Sequence, residues 1–260
     1  MSTIFRVARE TKAARKKRSK KASQSKLRRS GFKAALRGGG VLVQHLIEKI
    51  QQPQFPCIMA KSVMNQGVCE NIELKASAPA ALAQAVFEKL NSFIDSYRAN
   101  KEKLHSCIIS FSNDEFKEFA AFEKSFWEIL QALREIDDKI NPYDPRVSSD
   151  PRDGNYSFSV KEEAFFILLL HPKSPRKARQ FAVPSIVFNP HQQFEDLRAK
   201  GTFHKVRSTI RARDERYQGA LNPMLMDFGS EVSEIHQYSG LDYTVKAEMK
   251  CPFKHGGEAA

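Results

Sequence analysis

The stretch YSFSVKEEAFFILLLHPKSPRKARQFAVPSIVF, residues 156–188, decides the fold of this chain. Two of its segments, YSFSV and AFFILLL, are largely apolar and flank the short charged sequence KEE, as the strands of a β-hairpin would. PSIVF, residues 184–188, has the composition of a further strand. The stretch therefore predicts a small, mostly antiparallel sheet.

Helical patterns lie on both sides of this stretch. Between residues 79 and 97 apolar side chains recur every three or four positions, which places them on one face of a helix. Residues 114–140 show the same spacing over the longest range, with Asn113 or Asp114 as the N-cap. We also predict shorter helices over 41–50, 191–198 and 203–217, a buried strand over 104–112, and loops over 141–154 and in the C-terminal CPFKHGG.

Helices packed against a small antiparallel sheet define the α+β class, and 260 residues can bury a substantial core in one domain. We place this domain at residues 41–260. The triplet Gly38 to Gly40 before it lacks the Lys-Ser/Thr ending of a phosphate-binding loop and is interpreted as a hinge.

The net charge of +12 belongs to one end of the chain. Residues 1–38 hold 14 of the 42 Lys and Arg residues and a single acid, whereas the rest has 28 bases and 29 acids. We expect residues 1–40 to be a disordered basic extension, because like charges repel and apolar periodicity is missing. Such an extension could bind nucleic acid, so a non-enzymatic nucleic-acid-binding or adaptor protein is one alternative function.

The four cysteines, Cys57, Cys69, Cys107 and Cys251, are scattered and form no CxxC pair. This pattern indicates a reduced, cytoplasmic protein. No apolar run approaches the roughly 20 residues that cross a membrane, so we expect no membrane association. The GxSxG, HExxH and glycine-rich dinucleotide motifs are absent as well.

Most candidate ligand and anion-binding residues lie in HPKSPRKARQFAVPSIVFNPHQQFE, residues 171–195. An imidazole that leaves a buried strand, such as His171, with guanidinium groups a few residues on suits an iron centre or an anionic ligand. Arg176 and Arg179 are natural carboxylate partners, because a guanidinium meets a carboxylate through two parallel hydrogen bonds. Each of these side chains could equally be a structural or solvated group.

A rival metal site starts from His191 and Glu195, which are four residues apart and share one face of a helix. With His171 they supply two imidazoles and one carboxylate, the set used by non-haem Fe(II) oxygenases and some zinc hydrolases. A non-haem iron or other metal-dependent enzyme is therefore a second alternative, although pairs at this spacing also occur by chance.

Several long segments of the chain resemble the YqcI/YcgG family. They are FPC (55–57), HPKSPRKARQF (171–181), PSIVFNPHQQFEDLR (184–198), IRARDERYQGALNPML (210–225), SEIHQYSG (233–240) and CPF (251–253). The resemblance covers roughly residues 50–253 and leaves out the basic extension. His236 departs from it, since Arg is expected there.

Some members of this family are haem-dependent N-hydroxylases of guanidino groups, including the arginine hydroxylase of D-cycloserine biosynthesis and the N-hydroxylase of the guanitoxin pathway. The resemblance thus implies an enzyme that uses haem b, O₂ and an external reductant or redox partner. Its substrate would be L-arginine, another guanidino compound or a related amine. Homodimerisation is a further expectation.

Given the haem that the resemblance implies, residue type and position suggest which side chains would hold the cofactor and the substrate. His171 is our first choice as the haem ligand and His191 the second, while Cys57 is a third candidate, because a thiolate also ligates oxygen-activating haem. Arg176 and Arg179 would neutralise haem propionates. The candidates for substrate binding are Arg211, Arg213, Asp214, Glu234 and Tyr238.

Overall fold

The computed structural model describes residues 41–66, 69–75, 77–112 and 116–243. The helices in these ranges are α1 (Val41–Gln51), α2 (Ile58–Gln66), α3 (Pro79–Arg98), α4 (Phe119–Asp137), α5 (Gln192–Ala199) and α6 (Phe203–Gln218). The strands are β1 (Cys69–Lys75), β2 (Ser106–Ser112), β3 (Phe158–Val160), β4 (Glu163–Leu170) and β5 (Ser185–Pro190). Two 3₁₀ helices span Lys177–Arg179 and Glu234–Gln237.

The strands form one sheet in the order β1-β2-β5-β4-β3. Only the β1–β2 pair is parallel within the described residues, and α3 makes the crossover that a parallel pair requires. The pairs β2–β5, β5–β4 and β4–β3 are antiparallel, which confirms the predicted α+β class and the mostly antiparallel sheet. The predicted hairpin turns at Lys161 and Glu162, whose φ angles of 51° and 54° match a two-residue hairpin turn.

Helices cover both faces of the sheet. On one face α3 and α4 pack their apolar sides against β2 residues such as Ile109. On the other face α1 and α2 pack against residues such as Ile108. Successive strand residues point to opposite faces, so neighbouring isoleucines contribute to separate cores.

Helix α4 begins later than its apolar spacing predicted. Its N-cap position is Glu118, so the prediction of a cap at Asn113 or Asp114, which lie outside the described residues, is wrong. Phe116 is buried against Phe111 and Phe122, and its carbonyl accepts a hydrogen bond from the ring of His171. Because the Phe116 carbonyl binds the His171 side chain, it does not accept the hydrogen bond of a first helical turn.

The sequence analysis missed α2 and β1. Helix α2 has only nine residues, and edge strand β1 mixes charged and apolar residues, so neither has a strong periodic signal. The basic extension and CPFKHGG lie outside the described residues. Within the ranges that are described, no helix has the length and hydropathy to cross a membrane.

Candidate functional site

The predicted site residues fall at two opposite ends of the β4–β5 pair. His171 directly follows β4, whose last residue pairs with the first residue of β5. His191 directly follows β5 and donates its backbone N–H to the Ala164 carbonyl at 2.7 Å. We call these regions the Arg176 end and the His191 end. Strand β4 has eight residues, so the two ends are roughly 20 Å or more apart at about 3.3 Å per residue.

This separation contradicts the predicted non-haem metal site. His171 cannot share an ion with His191 and Glu195 across the length of a strand, because metal ligands lie about 2 Å from the ion. The described residues also contain no group of three or more His, Cys, Asp or Glu side chains that could hold a metal ion. The pair at four-residue spacing does form, with His191 Nε2 at 3.4 Å from Glu195 Oε1.

At the Arg176 end, the ring of His171 is completely buried and both of its nitrogens have partners. Nε2 lies 2.8 Å from the Phe116 carbonyl, and Nδ1 accepts the Lys173 N–H at 3.0 Å. Phe119 and Phe122 pack against the ring. Burial lowers the pKa of His171, so the neutral imidazole fixes the strand end. This geometry leaves no ring nitrogen for iron.

The two arginines of the segment bind groups within the chain. Arg176 forms an ion pair with Asp214 of α6, and both side chains are largely buried. Arg179 donates to the carbonyls of Gln237 and Tyr238 at 2.6 and 2.7 Å and thereby holds the 3₁₀ segment near the C-terminus. Burial lowers the pKa of Arg179 to about 10. The structure thus shows both arginines as connectors between distant segments.

Cys57 and Arg213 join the same region. Cys57 Sγ accepts the Ala60 N–H at 3.3 Å at the start of α2, and burial raises the pKa of this thiol. Arg213 of α6 donates to the Phe55 carbonyl at 2.8 Å. FPC, HPKSPRKARQF, IRARDERYQ and SEIHQYSG, far apart in the chain, therefore meet at the Arg176 end.

A cavity of about 340 Å³ opens beside this meeting point. It lies between α1, the segment before β5 and the last turn of α6, and sequence reasoning did not find it. Its lining is formed by His45, Glu48, Lys49, Gln52, Gln180, Phe181, Ala182 and Tyr217.

At the His191 end, a neutral imidazole lies among charged groups. His191 is 4% exposed, and the Phe228 ring covers it at a centroid distance of 4.2 Å. Burial, assisted by the positive charge of Arg198, lowers the pKa of His191 to about 4. Glu195 interacts with both His191 and Arg198. A neutral imidazole next to a carboxylate is the arrangement of many metal-binding histidines.

Glu234 is a buried, protonated carboxyl group close to the same end. Its Oε1 accepts hydrogen bonds from Ser157 Oγ at 2.9 Å and from Tyr238 Oη at 2.7 Å. Burial raises the pKa of Glu234 to about 8, with Arg198 opposing and Glu195 adding to the shift. Glu234 and Tyr238 were predicted to bind substrate, and here they bind each other in the core.

Two buried carboxylates, those of Asp144 and Glu163, escaped the sequence analysis. The Arg146 guanidinium donates to both oxygens of Asp144 at 2.8 and 2.6 Å and to Glu163 at 3.1 Å. Arg98 lies 3.4 Å from the second oxygen of Glu163. The available signal was weak, since Asp144-Pro-Arg146 looks like any turn sequence.

Arg211, predicted to bind substrate, pairs with Asp227 in the loop that also carries Phe228. Arg207 pairs with the same carboxylate. Helix α6 therefore holds the loop that covers His191.

The residues can be tested against a haem group. His191 is the described imidazole whose donor chemistry fits iron best, because it is neutral, lies beside Glu195 and forms no ring hydrogen bond with a described backbone group. Arg146 and Arg198 lie near enough to affect its pKa, and they would meet propionates by giving up the carboxylates with which they now pair. Phe228 would have to leave its place over the ring.

Comparison with known proteins identifies the class to which this α+β domain belongs. The chain is a member of the YqcI/YcgG family, whose model matches residues 46–254. It is 24% identical over 230 residues to a Streptomyces lavendulae protein named "Putative N(omega)-hydroxy-L-arginine synthase DcsA", and the match covers 82% of this chain and 83% of that protein.

Two relatives from Bacillus subtilis match over a shorter region. The chain is 31% identical over 138 residues to YcgG, covering 52% of this chain and 54% of YcgG. It is 30% identical over 136 residues to YqcI, covering 51% of this chain and 52% of YqcI. The chain thus spans about half the length of each of these two relatives. No solved structure matches the chain.

Proposed function

We propose that this protein catalyses the N-hydroxylation of a guanidino compound such as L-arginine, or of a related amine. The observation that carries the proposal is the similarity to the Streptomyces protein, because it extends over 82% of this chain and 83% of that protein. A match of that extent includes both ends of the sheet, so the groups at the His191 end lie within it.

The His191 end has the chemistry that a guanidino substrate needs. The guanidinium of Arg198 already lies 4.0 Å from the Phe203 ring centroid while it binds the Glu195 carboxylate. A carboxylate and an aromatic face are the two partners that bind a guanidinium most strongly. The contacts of Arg198 support the proposal that Glu195 and Phe203 can bind the guanidinium of a substrate.

We further propose that the activity uses haem b, with iron held by His191, and depends on O₂ and an external reductant or redox partner. Bound haem would supply O₂ activation. One oxygen atom of O₂ would enter the new N–O bond, and the other would leave as water with two electrons and two protons from the reductant and solvent. Glu195 would hold the guanidinium in place of Arg198.

The cofactor proposal is tested by expression with a haem precursor and absorption spectra of the wild type, His191→Ala and His171→Asn. The wild type should show an intense haem band that His191→Ala loses, while His171→Asn keeps it if circular dichroism shows a folded protein. A folded wild type without porphyrin, or a His191→Ala spectrum identical to the wild type, contradicts this ligand assignment.

The substrate proposal is tested by mass spectrometry of products from L-arginine, agmatine and L-citrulline with O₂ and reductant. L-Citrulline is the matched control, because it keeps the amino-acid end and has a ureido group in place of the guanidinium. Products from L-arginine or agmatine but not from L-citrulline support a guanidino substrate. Equal oxidation of all three contradicts guanidinium recognition.

A further inference from the structure

We propose that the cavity at the Arg176 end binds a small organic anion, with its charged group on Lys49 and its carbon body against Phe181 and Tyr217. This site goes beyond the proposed function, because it lies at the opposite end of the sheet from His191. Its volume of about 340 Å³ falls at the lower end of the range of small-molecule sites.

Lys49 is the cation that faces the cavity. Its ammonium donates to the Gln180 carbonyl and lies 5.1 Å from the Phe181 ring centroid. It forms no ion pair with a described residue. An ammonium has three donors, so two stay available for a ligand. Partial burial lowers the pKa of Lys49, and a bound anion would oppose that shift.

Three further cations bind backbone carbonyls close to the residues that line the cavity, and they form no ion pair among the described residues. Lys61 donates to the carbonyls of Gln52 and Pro53. Lys177 donates to the Gln218 carbonyl at 3.2 Å, and Arg213 donates to backbone carbonyls. Backbone carbonyls satisfy the donors of these side chains but leave their positive charges uncancelled. The summed field therefore favours an anion over a cation.

Among the described residues that line the cavity, the acid is Glu48, and its hydrogen-bond partners lie on its own helix. Glu48 accepts a hydrogen bond from Gln44 at 2.9 Å and lies 3.9 Å from His45 Nδ1. The nearby Asp214 is paired with Arg176. Arg176 neutralises Asp214, and solvent screens the charge of Glu48, whose side chain is 59% exposed, whereas an anion would meet the partly buried Lys49 directly.

The two aromatic rings that line the cavity, those of Phe181 and Tyr217, both pack against Phe55. The Phe55 ring contacts Phe181 edge-on at 6.2 Å and Tyr217 at 6.3 Å. These fixed rings offer an apolar surface next to the ammonium, a combination that suits a ligand with both a charge and a hydrocarbon or aromatic body. A purely inorganic anion would use only half of the site.

The test is calorimetric titration of the full chain, without cofactor, using four probes that separate charge from body. Benzoate has a negative charge and an aromatic ring, acetate and inorganic phosphate have the charge with little or no hydrocarbon, and benzamide has the ring without the charge. Benzoate should bind at least about tenfold more tightly than the other three, since both contacts are then made. Equal affinity for all four, or benzoate binding weaker than about 10 mM, overturns the proposal.

Three variants locate the site. Lys49→Met should weaken benzoate binding about tenfold, because a charge-assisted hydrogen bond is lost, while Lys49→Arg should keep most of the affinity. Lys89→Met on the exposed side of α3 is the matched control and should leave binding unchanged. Benzoate binding that Lys49→Met leaves intact refutes this site. The assay requires neither haem nor turnover, so its result is separate from that of the proposed activity.

Discussion

Replacing Glu234 with Gln should change how the stability of this protein depends on pH. The folded protein raises the pKa of this carboxyl group from its ordinary 4.5 to about 8, mainly through burial. Between these values the unfolded chain releases a proton that the folded chain retains, so stability falls as pH rises. The loss is about 1.4 kcal/mol per pH unit, or about 3 kcal/mol between pH 5 and pH 7.5.

The Gln variant removes this loss and keeps the local contacts. Its amide oxygen can still accept the hydrogen bonds of Ser157 and Tyr238. We expect urea unfolding to give similar stabilities for both proteins near pH 5, and a variant that is about 3 kcal/mol more stable near pH 7.5. Glu231→Gln, an exposed neighbour, is the control and should show no such trend. A stability difference that stays constant with pH would refute a protonated Glu234.

Three further substitutions test the internal connections by urea or thermal unfolding. Arg146→Ala removes the guanidinium that pairs with the buried carboxylates of Asp144 and Glu163 and should lower the free energy of unfolding by about 2–3 kcal/mol. Arg152→Ala is the control, because it breaks an exposed pair of the same Asp-Pro-Arg spacing and should cost less than about 1 kcal/mol. Equal losses would contradict the difference in burial. Asp214→Asn weakens a largely buried ion pair and should cost about 2 kcal/mol, and an unchanged unfolding midpoint would contradict the connecting role of this pair. Gly240→Ala, at a φ of 83° and with its Cβ 2.9 Å from Arg179 Cδ, should lose about 1–3 kcal/mol, so a gain in melting temperature would contradict the close packing there.

Much of the fold could be predicted because its signals are local. The hairpin around Lys161 and the long amphipathic helices follow from alternation and helical spacing in the sequence, and the structure confirms them. The strand order could not be predicted in this way, because β5 inserts between β2 and β4 through contacts distant in sequence. Short elements such as α2 and β1 are stabilised by tertiary packing and carry little local signal.

The site was less predictable, because residue type does not reveal partners. His171 and His191 both end buried strands, and only antiparallel pairing shows that they lie at opposite ends of the sheet. Arg179 looks like a ligand-binding cation in the sequence, but it binds backbone carbonyls in the structure. Asp144 and Asp150 occupy identical Asp-Pro-Arg sequences, and only the first is buried.

The proposed N-hydroxylation is tested most directly by following the oxygen atom. Haem-loaded full-length protein is incubated with L-arginine, a reductant and dioxygen labelled with oxygen-18, and the products are analysed by mass spectrometry. We predict hydroxylated arginine that carries one labelled oxygen on a guanidino nitrogen. Unmodified L-arginine together with unmodified related guanidines and amines, in a preparation that holds haem and consumes reductant, would contradict the account.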